Sequence, residues 1–147
     1  TGILEKVIKI AFRQQDFTQL MQQKEIGSFL SLYYTLQRFM TDYSVLIDNQ
    51  IRMQRKDNPE HILSYEDLSM GEKQLVLLML MVTNTAQEPC IFFMDEPDLG
   101  MHVEWKEKLI REIRELNPNM QIILSTHAPS MIEGWQNRVK EVSQLIS

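Results

Sequence analysis

The sequence predicts an α/β protein with a mainly parallel sheet, and three observations predict it. Two short apolar runs, Ile91 to Met94 and Met120 to Leu124, have the length and composition of buried strands. A charged amphipathic stretch from His102 to Leu116 separates them, with Val103, Leu109, Ile113 and Leu116 inward. A nearly unbroken apolar stretch, Leu75 to Val82, precedes them and reads as a buried helix, being longer than most strands and rich in Leu and Met. Helix, strand, helix, strand is the signature of a parallel sheet with flanking helices.

The remaining elements follow the same logic. Leu4, Val7, Ile8, Ala11 and Phe12 fall at helical spacing, so residues 3 to 15 read as an amphipathic helix, and Phe17 to Lys24 as a second short one. After Gly27, a helix is expected from Ser28 to Arg55, with Phe29, Leu32, Leu36, Phe39, Leu46 and Ile51 on one broad face. Arg52, Arg55 and Lys56 would suit its C-terminus. Asp57-Asn58-Pro59 marks a turn or linker. Residues 1 to 60 therefore read as a helical subdomain or insertion ahead of an α/β lobe at residues 61 to 147. Asn117-Pro118-Asn119 should stop the helix before the second strand. Pro129 should start a short helix or turn, and Arg138 to Val142 suggests a last edge strand.

Composition narrows the class. A chain of 147 residues that is 44% hydrophobic can bury a single sizeable core. A net charge of -5 argues against a domain coated in positive potential for nucleic acid, while leaving room for a local basic patch. Cys90 is the single cysteine, so no internal disulfide can form and a reducing cytoplasm is the default expectation. No stretch approaches the ~20 apolar residues of a membrane span, and no signal peptide is visible. Thr1 in place of Met is expected to reflect processing, an engineered boundary or a fragment.

The chemistry gathers at three places. Asp95 and Glu96 directly follow the first strand. Two carboxylates there are costly unless something cationic or catalytic uses them, and the carboxyl ends of strands are where open α/β sheets bind ligands. Ser69 and Glu72 form a capping-box pattern ahead of the apolar helix. A capped helix start with a hydroxyl and the close backbone access of Gly71 is also an anion site. Ser125-Thr126-His127 closes the second strand; His102 reads as structural, and His61 has no evident partner.

In this order the pieces resemble a known family. Leu68 to Gln74 looks like the signature motif of ABC-type ATPases, in the variant of the SMC, RecF and OLD-like branch. Met70 stands where transporter relatives usually carry Gly, which would narrow the pocket. Ile91 to Glu96 resembles the Walker B strand with its following glutamate, Asp98 to His102 the D-loop, and Thr126-His127 the switch histidine. The resemblance covers residues 62 to 135 and implies the C-terminal half of a P-loop NTPase sheet of ABC type. It implies ATP and Mg²⁺, with Asp95 on the metal, Glu96 activating water and His127 near the γ-phosphate. It also implies that Ser69 and Gly71 meet a γ-phosphate held by a second ATPase subunit, a homodimer in the parent protein.

No G-x-x-x-x-G-K-[ST] occurs, and the five glycines cannot build one. The chain thus resembles the C-terminal part of a longer ATPase, inactive alone, with roles in DNA repair, chromosome maintenance or phage defence. The alternative expectation is a non-catalytic interaction module that pairs with a separate ATPase.

Overall fold

The computed structural model describes residues 24–47 and 50–142. The helix expected at 3 to 15 lies outside them, as does all of the 17 to 24 segment except Lys24. The first element is helix α1, Lys24–Phe39. An antiparallel meander follows: β1 (Tyr43–Ile47), β2 (Ile51–Arg55) and the short β3 (Ile62–Leu63). Then come α2 (Met70–Asn84), β4 (Cys90–Asp95), α3 (Val103–Leu116) and β5 (Met120–Ser125). Single 3-10 turns at Pro129–Met131 and Gln136–Arg138 end the described chain.

The α/β part forms as its residue pattern requires. Strands β4 and β5 pair in parallel, from Cys90 opposite Met120 to Asp95 opposite Ser125. Parallel neighbours need a crossover, and α3 supplies it. Asn117 ends α3 and is fully buried. Its side-chain amide donates to Thr85 Oγ1 at 2.8 Å and to the Glu88 carbonyl at 2.9 Å, while its Oδ1 accepts the Asn119 N–H at 3.0 Å. One side chain thus ties the turn before β4 to the turn before β5.

Three expectations are corrected. The helix expected from Ser28 to Arg55 ends at Phe39, and 43–55 forms two paired strands, with Tyr43 opposite Arg55 and Ile47 opposite Ile51. The apolar spacing of Leu46, Ile47 and Ile51 satisfies a helical stripe, but the β-branched and aromatic content of Tyr43, Val45, Ile47 and Ile51 favours a pleated surface. Arg138 to Val142 is not a strand; Gln136–Arg138 is a 3-10 turn. Burial is also one-sided where full burial is expected. Along β4 it alternates, with Ile91 56% and Phe93 71% exposed, and α2 leaves Leu77, Leu80 and Met81 exposed.

The core lies between the helices and under the meander. Leu36 and Phe39 of α1, Leu75 and Met79 of α2, and Leu109 and Ile113 of α3 are all essentially inaccessible, and Met53 of β2 joins them. At its edge Arg38 places Nε 2.9 Å and Nη2 2.5 Å from Glu112 Oε2, fastening α1 to α3. The Glu112 carboxylate is buried and the guanidinium half-exposed, so the pair neutralises a charge that would otherwise be costly.

Asn117→Ala should strand the hydrogen-bond partners it serves and cost about 2 kcal/mol. Urea unfolding at constant m-value measures this, and an unchanged midpoint would contradict the assigned role.

Candidate functional site

The site begins where β4 stops. Asp95 is its last residue, and its Oδ1 accepts a short hydrogen bond from Ser125 Oγ at the end of β5. Parallel register puts these two residues side by side. Glu96 follows with φ +43°, in the left-handed region. A non-glycine residue there costs about 1–2 kcal/mol. Such strain persists where surrounding contacts over-determine it, often at functional sites. Here the Glu96 N–H donates to the Ser125 carbonyl at 3.0 Å, and the Leu99 N–H returns to the Glu96 carbonyl at 3.2 Å.

Across the gap stands His127, with Nε2 3.2 Å from Glu96 Oε1. Its side chain is 93% exposed, so neighbouring side chains do little to hold it. Glu96 and His127 face a cleft of about 320 Å³ whose other walls are Asp98, Leu99, Lys106 and Ala128. Carboxylates and an imidazole at the open end of a parallel strand pair can accept and pass protons and can meet a cation.

Ser69 and Gly71 stand outside that cleft, at the start of α2. The expected capping box is present: the Ser69 N–H donates to Glu72 Oε2 at 2.7 Å, and the Glu72 N–H donates to Ser69 Oγ at 3.3 Å. Gly71 has a reason to be glycine within the chain itself. A Cβ there would lie 2.1 Å from the carbonyl oxygen of Gly100, in the loop after Glu96. The start of α2 therefore packs directly against the turn that leaves β4. His102 caps α3 and stacks edge-on against Trp105 at 5.3 Å, in keeping with a structural role.

Asp98 opens the stretch read as the D-loop, whereas Lys106 was not singled out from the sequence. The two form a 3.1 Å ion pair in the cleft wall, and Asp98 Oδ1 also accepts from Thr126 Oγ1 at 2.8 Å. The burial of that turn, which makes the pair necessary, is not revealed by the sequence.

For a metal the donor set is sparse. Among the described residues no three His, Cys, Asp or Glu side chains cluster as a metal cage. One exposed carboxylate at a strand end does fit Mg²⁺, which takes one or two carboxylates and fills its shell with water and phosphate oxygens.

The family profile described as "AAA domain, putative AbiEii toxin, Type IV TA system" matches residues 9–133, most of the chain. The chain belongs to this AAA domain family. Curated relatives of this AAA domain include the retron Vc95 probable ATPase of Vibrio cholerae serotype O1 biovar El Tor, 35% identical over 95 residues, which are 56% of this chain and 18% of that protein. An uncharacterized ABC transporter ATP-binding protein of Haemophilus influenzae is 29% identical over 106 residues, 70% of this chain and 37% of that protein. The AAA domain thus spans about a fifth to a third of these relatives' length.

Among solved structures, an SMC head bound to the C-winged helix domain of ScpA superposes with a TM-score of 0.60 at 15% identity, covering 86% of this chain and 42% of that one. The SMC head domain from Thermotoga maritima gives 0.54 at 19% identity, covering 90% and 45%. A structure described for ATP-driven dimerization and DNA-stimulated activation of SMC ATPases gives 0.56 at 17%, covering 79% and 76%. At these identities the likeness establishes the fold, that of the P-loop NTPase heads. Among the described residues no helix is long and apolar enough to cross a membrane.

The left-handed backbone at Glu96 yields a test. Glu96→Gly and Glu96→Ala both remove the carboxylate, but only Gly relieves the steric cost. The Gly variant should be more stable than the Ala variant by about 1 kcal/mol. Equal unfolding midpoints in urea would show that the conformation carries no strain.

Proposed function

We propose that the chain forms the signature and Walker B half of a composite ATP-hydrolysing site, completed by an N-terminal lobe that carries the phosphate-binding loop and by a second ATPase subunit. The observation that carries this reading is Glu96. It sits in a strained conformation at the end of a parallel strand, its carboxylate paired with His127 and its neighbour Asp95 held by Ser125. Membership of an AAA domain family and the SMC-like fold support the nucleotide as substrate.

In this reading Asp95 is the metal carboxylate, with Ser125 fixing its orientation. Mg²⁺, when bound, neutralises phosphate charge. Glu96 orients and deprotonates the attacking water, as a carboxylate within hydrogen-bond reach can. His127 sits on the opposite side of the cleft and keeps Glu96 aimed through its Nε2 contact, a bond that would pass to the γ-phosphate when nucleotide is bound. Ser69 serves the other site of the pair, meeting a phosphate held by the second subunit. Its oxygen accepts the Glu72 N–H in the cap, which leaves the hydroxyl proton able to donate to a phosphate. Among the described residues Ile91, Phe93 and Ile123 leave one face of β4 and β5 exposed, a surface that a lobe carrying the phosphate loop would cover. A retron ATPase relative and the toxin-system family description suit a role in phage defence, alongside DNA repair and chromosome maintenance as settings for the same chemistry.

The test is reconstitution. Alone, the chain should bind Mg·ATP weakly, because the phosphate loop supplies most phosphate contacts in such sites. Adding the N-terminal lobe should restore phosphate release. Glu96→Gln should then lower kcat by about 10²-fold or more while nucleotide binding persists, and Ser69→Arg should block turnover by filling the anion pocket. Near-normal turnover by Glu96→Gln would remove it from the water-activating role. Assembled lobes that bind ATP and ignore Ser69→Arg would leave Leu68 to Gln74 as a capped helix only.

A further inference from the structure

We infer that Asp98 is a positioning residue that holds the catalytic imidazole of His127 in place through Thr126; the inference rests on the ATPase reading above. His127 is 93% exposed, so side-chain packing cannot fix it against Glu96. What the structure restrains around so exposed a ring is the backbone that carries it. That backbone is gripped on both sides by a single hydroxyl: Thr126 Oγ1 accepts the Ala128 N–H at 3.0 Å and donates to Asp98 Oδ1 at 2.8 Å. His127 lies between the two residues so joined.

Asp98 is built for such a role. Its side chain is only 8% exposed, and both of its oxygens are engaged, Oδ1 by Thr126 and Oδ2 by Lys106 Nζ at 3.1 Å. Burying a carboxylate is costly without this pairing. The Lys106 ammonium comes from α3 and is itself mostly covered, at 20% exposure. Asp98 lies two residues beyond Glu96, and Thr126 one residue before His127. Together with the Glu96 N–H on the Ser125 carbonyl, the Asp98–Thr126 bond joins the loop after β4 to the two residues just before His127. Asp98 engages Thr126 and Lys106 rather than the imidazole or Glu96, and so acts through Thr126.

The experiment has two arms. In the 147-residue chain, ¹³C relaxation of the His127 imidazole reports its order directly. Thr126→Val keeps the β-branched shape and removes the hydroxyl; Thr126→Ser keeps the hydroxyl. The Val variant should loosen the ring, and the Ser variant should restore wild-type order. In the assembled ATPase, Thr126→Val should lower kcat by about ten- to a hundredfold with KM changed less than about twofold, since misplacement of a catalytic group acts on the chemical step. Thr126→Ser should recover most of the rate. Asp98→Ala should match Thr126→Val, and the double variant should be no worse than the worse single one, as expected when two residues act through one bond. If Asp98→Ala fails to fold, Asp98→Leu paired with Lys106→Met, which leaves no buried charge unpaired, takes its place. Unchanged ring order in Thr126→Val would overturn the inference whatever the enzyme does. Normal kcat in Thr126→Val, with His127→Ala impaired, would also overturn it and leave the ATPase reading standing. If His127→Ala itself turns over normally, the catalytic assignment of His127 falls, while the relaxation arm still judges the restraint.

Discussion

The parallel register of β4 against β5 fixes where every acid of the site can be. Because Asp95 pairs with Ser125 across the ladder, the serine hydroxyl reaches the aspartate and the Ser125 carbonyl is free to take the Glu96 N–H. Those two contacts turn the chain sharply enough to hold Glu96 at positive φ, which in turn sends its carboxylate toward His127. A slip of one residue would reverse the faces of both strands and put Asp95 opposite a different partner. The register is held from below by the buried side of the strands, Phe92 and Met94 of β4 with Ile122 and Leu124 of β5, and at its base by Asn117. The other side is uncovered among the described residues. Parallel strands are usually covered on both faces, and burying a Phe or Ile side chain is worth about 1.5–3 kcal/mol each. The exposed Phe93 and Ile91 therefore make the α/β portion a structure with an energetic reason to acquire a further layer.

The turn after Glu96 does more than connect β4 to α3. Its Gly100 carbonyl receives the start of α2 so closely that Gly71 admits no side chain. Its Asp98 ties the loop before His127. Its far end is capped onto α3, whose Lys106 completes the Asp98 pair. The start of α2, the loop before His127 and α3 are thus joined through the one loop between β4 and α3, which gives a displacement of α2 a path to the cleft. The proposed contact of Ser69 with a second subunit has a physical route to Glu96 and His127 through this turn.

Much of this was legible in the residues. The two strands, the helices at 70–84 and 103–116, and the capping box follow from short apolar runs, helical spacing and Ser-x-x-Glu. Asp95, Glu96 and His127 stand out because acids and imidazoles at strand ends need a reason. The meander at 43–55 was not legible as such. Leu46, Ile47 and Ile51 recur at a spacing that a helix and a hairpin can both bury, and tertiary packing against α1 decides between them. The exposure of Ile91 and Phe93 was hidden for a different reason: an unbroken apolar run reads as burial on both faces, whatever the rest of the chain supplies to cover it. Asp98 and Thr126 fall in recognisable stretches, but their contact with each other and with Lys106 lay beyond reach, because the three are far apart in sequence and meet only once β4, α3 and β5 have assembled.

The central claim is that the carboxyl ends of β4 and β5 receive the metal–phosphate end of a nucleotide. Paramagnetic broadening by Mn²⁺·ATP tests it most directly, since the effect falls steeply with distance and registers even weak binding. With ¹⁵N-labelled chain, the amides of Asp95, Glu96, Ser125 and Thr126 should broaden first, and excess Mg²⁺·ATP should reverse the effect. Broadening centred on the exposed Glu104 and Glu107 of α3, with the strand ends spared, would contradict the account.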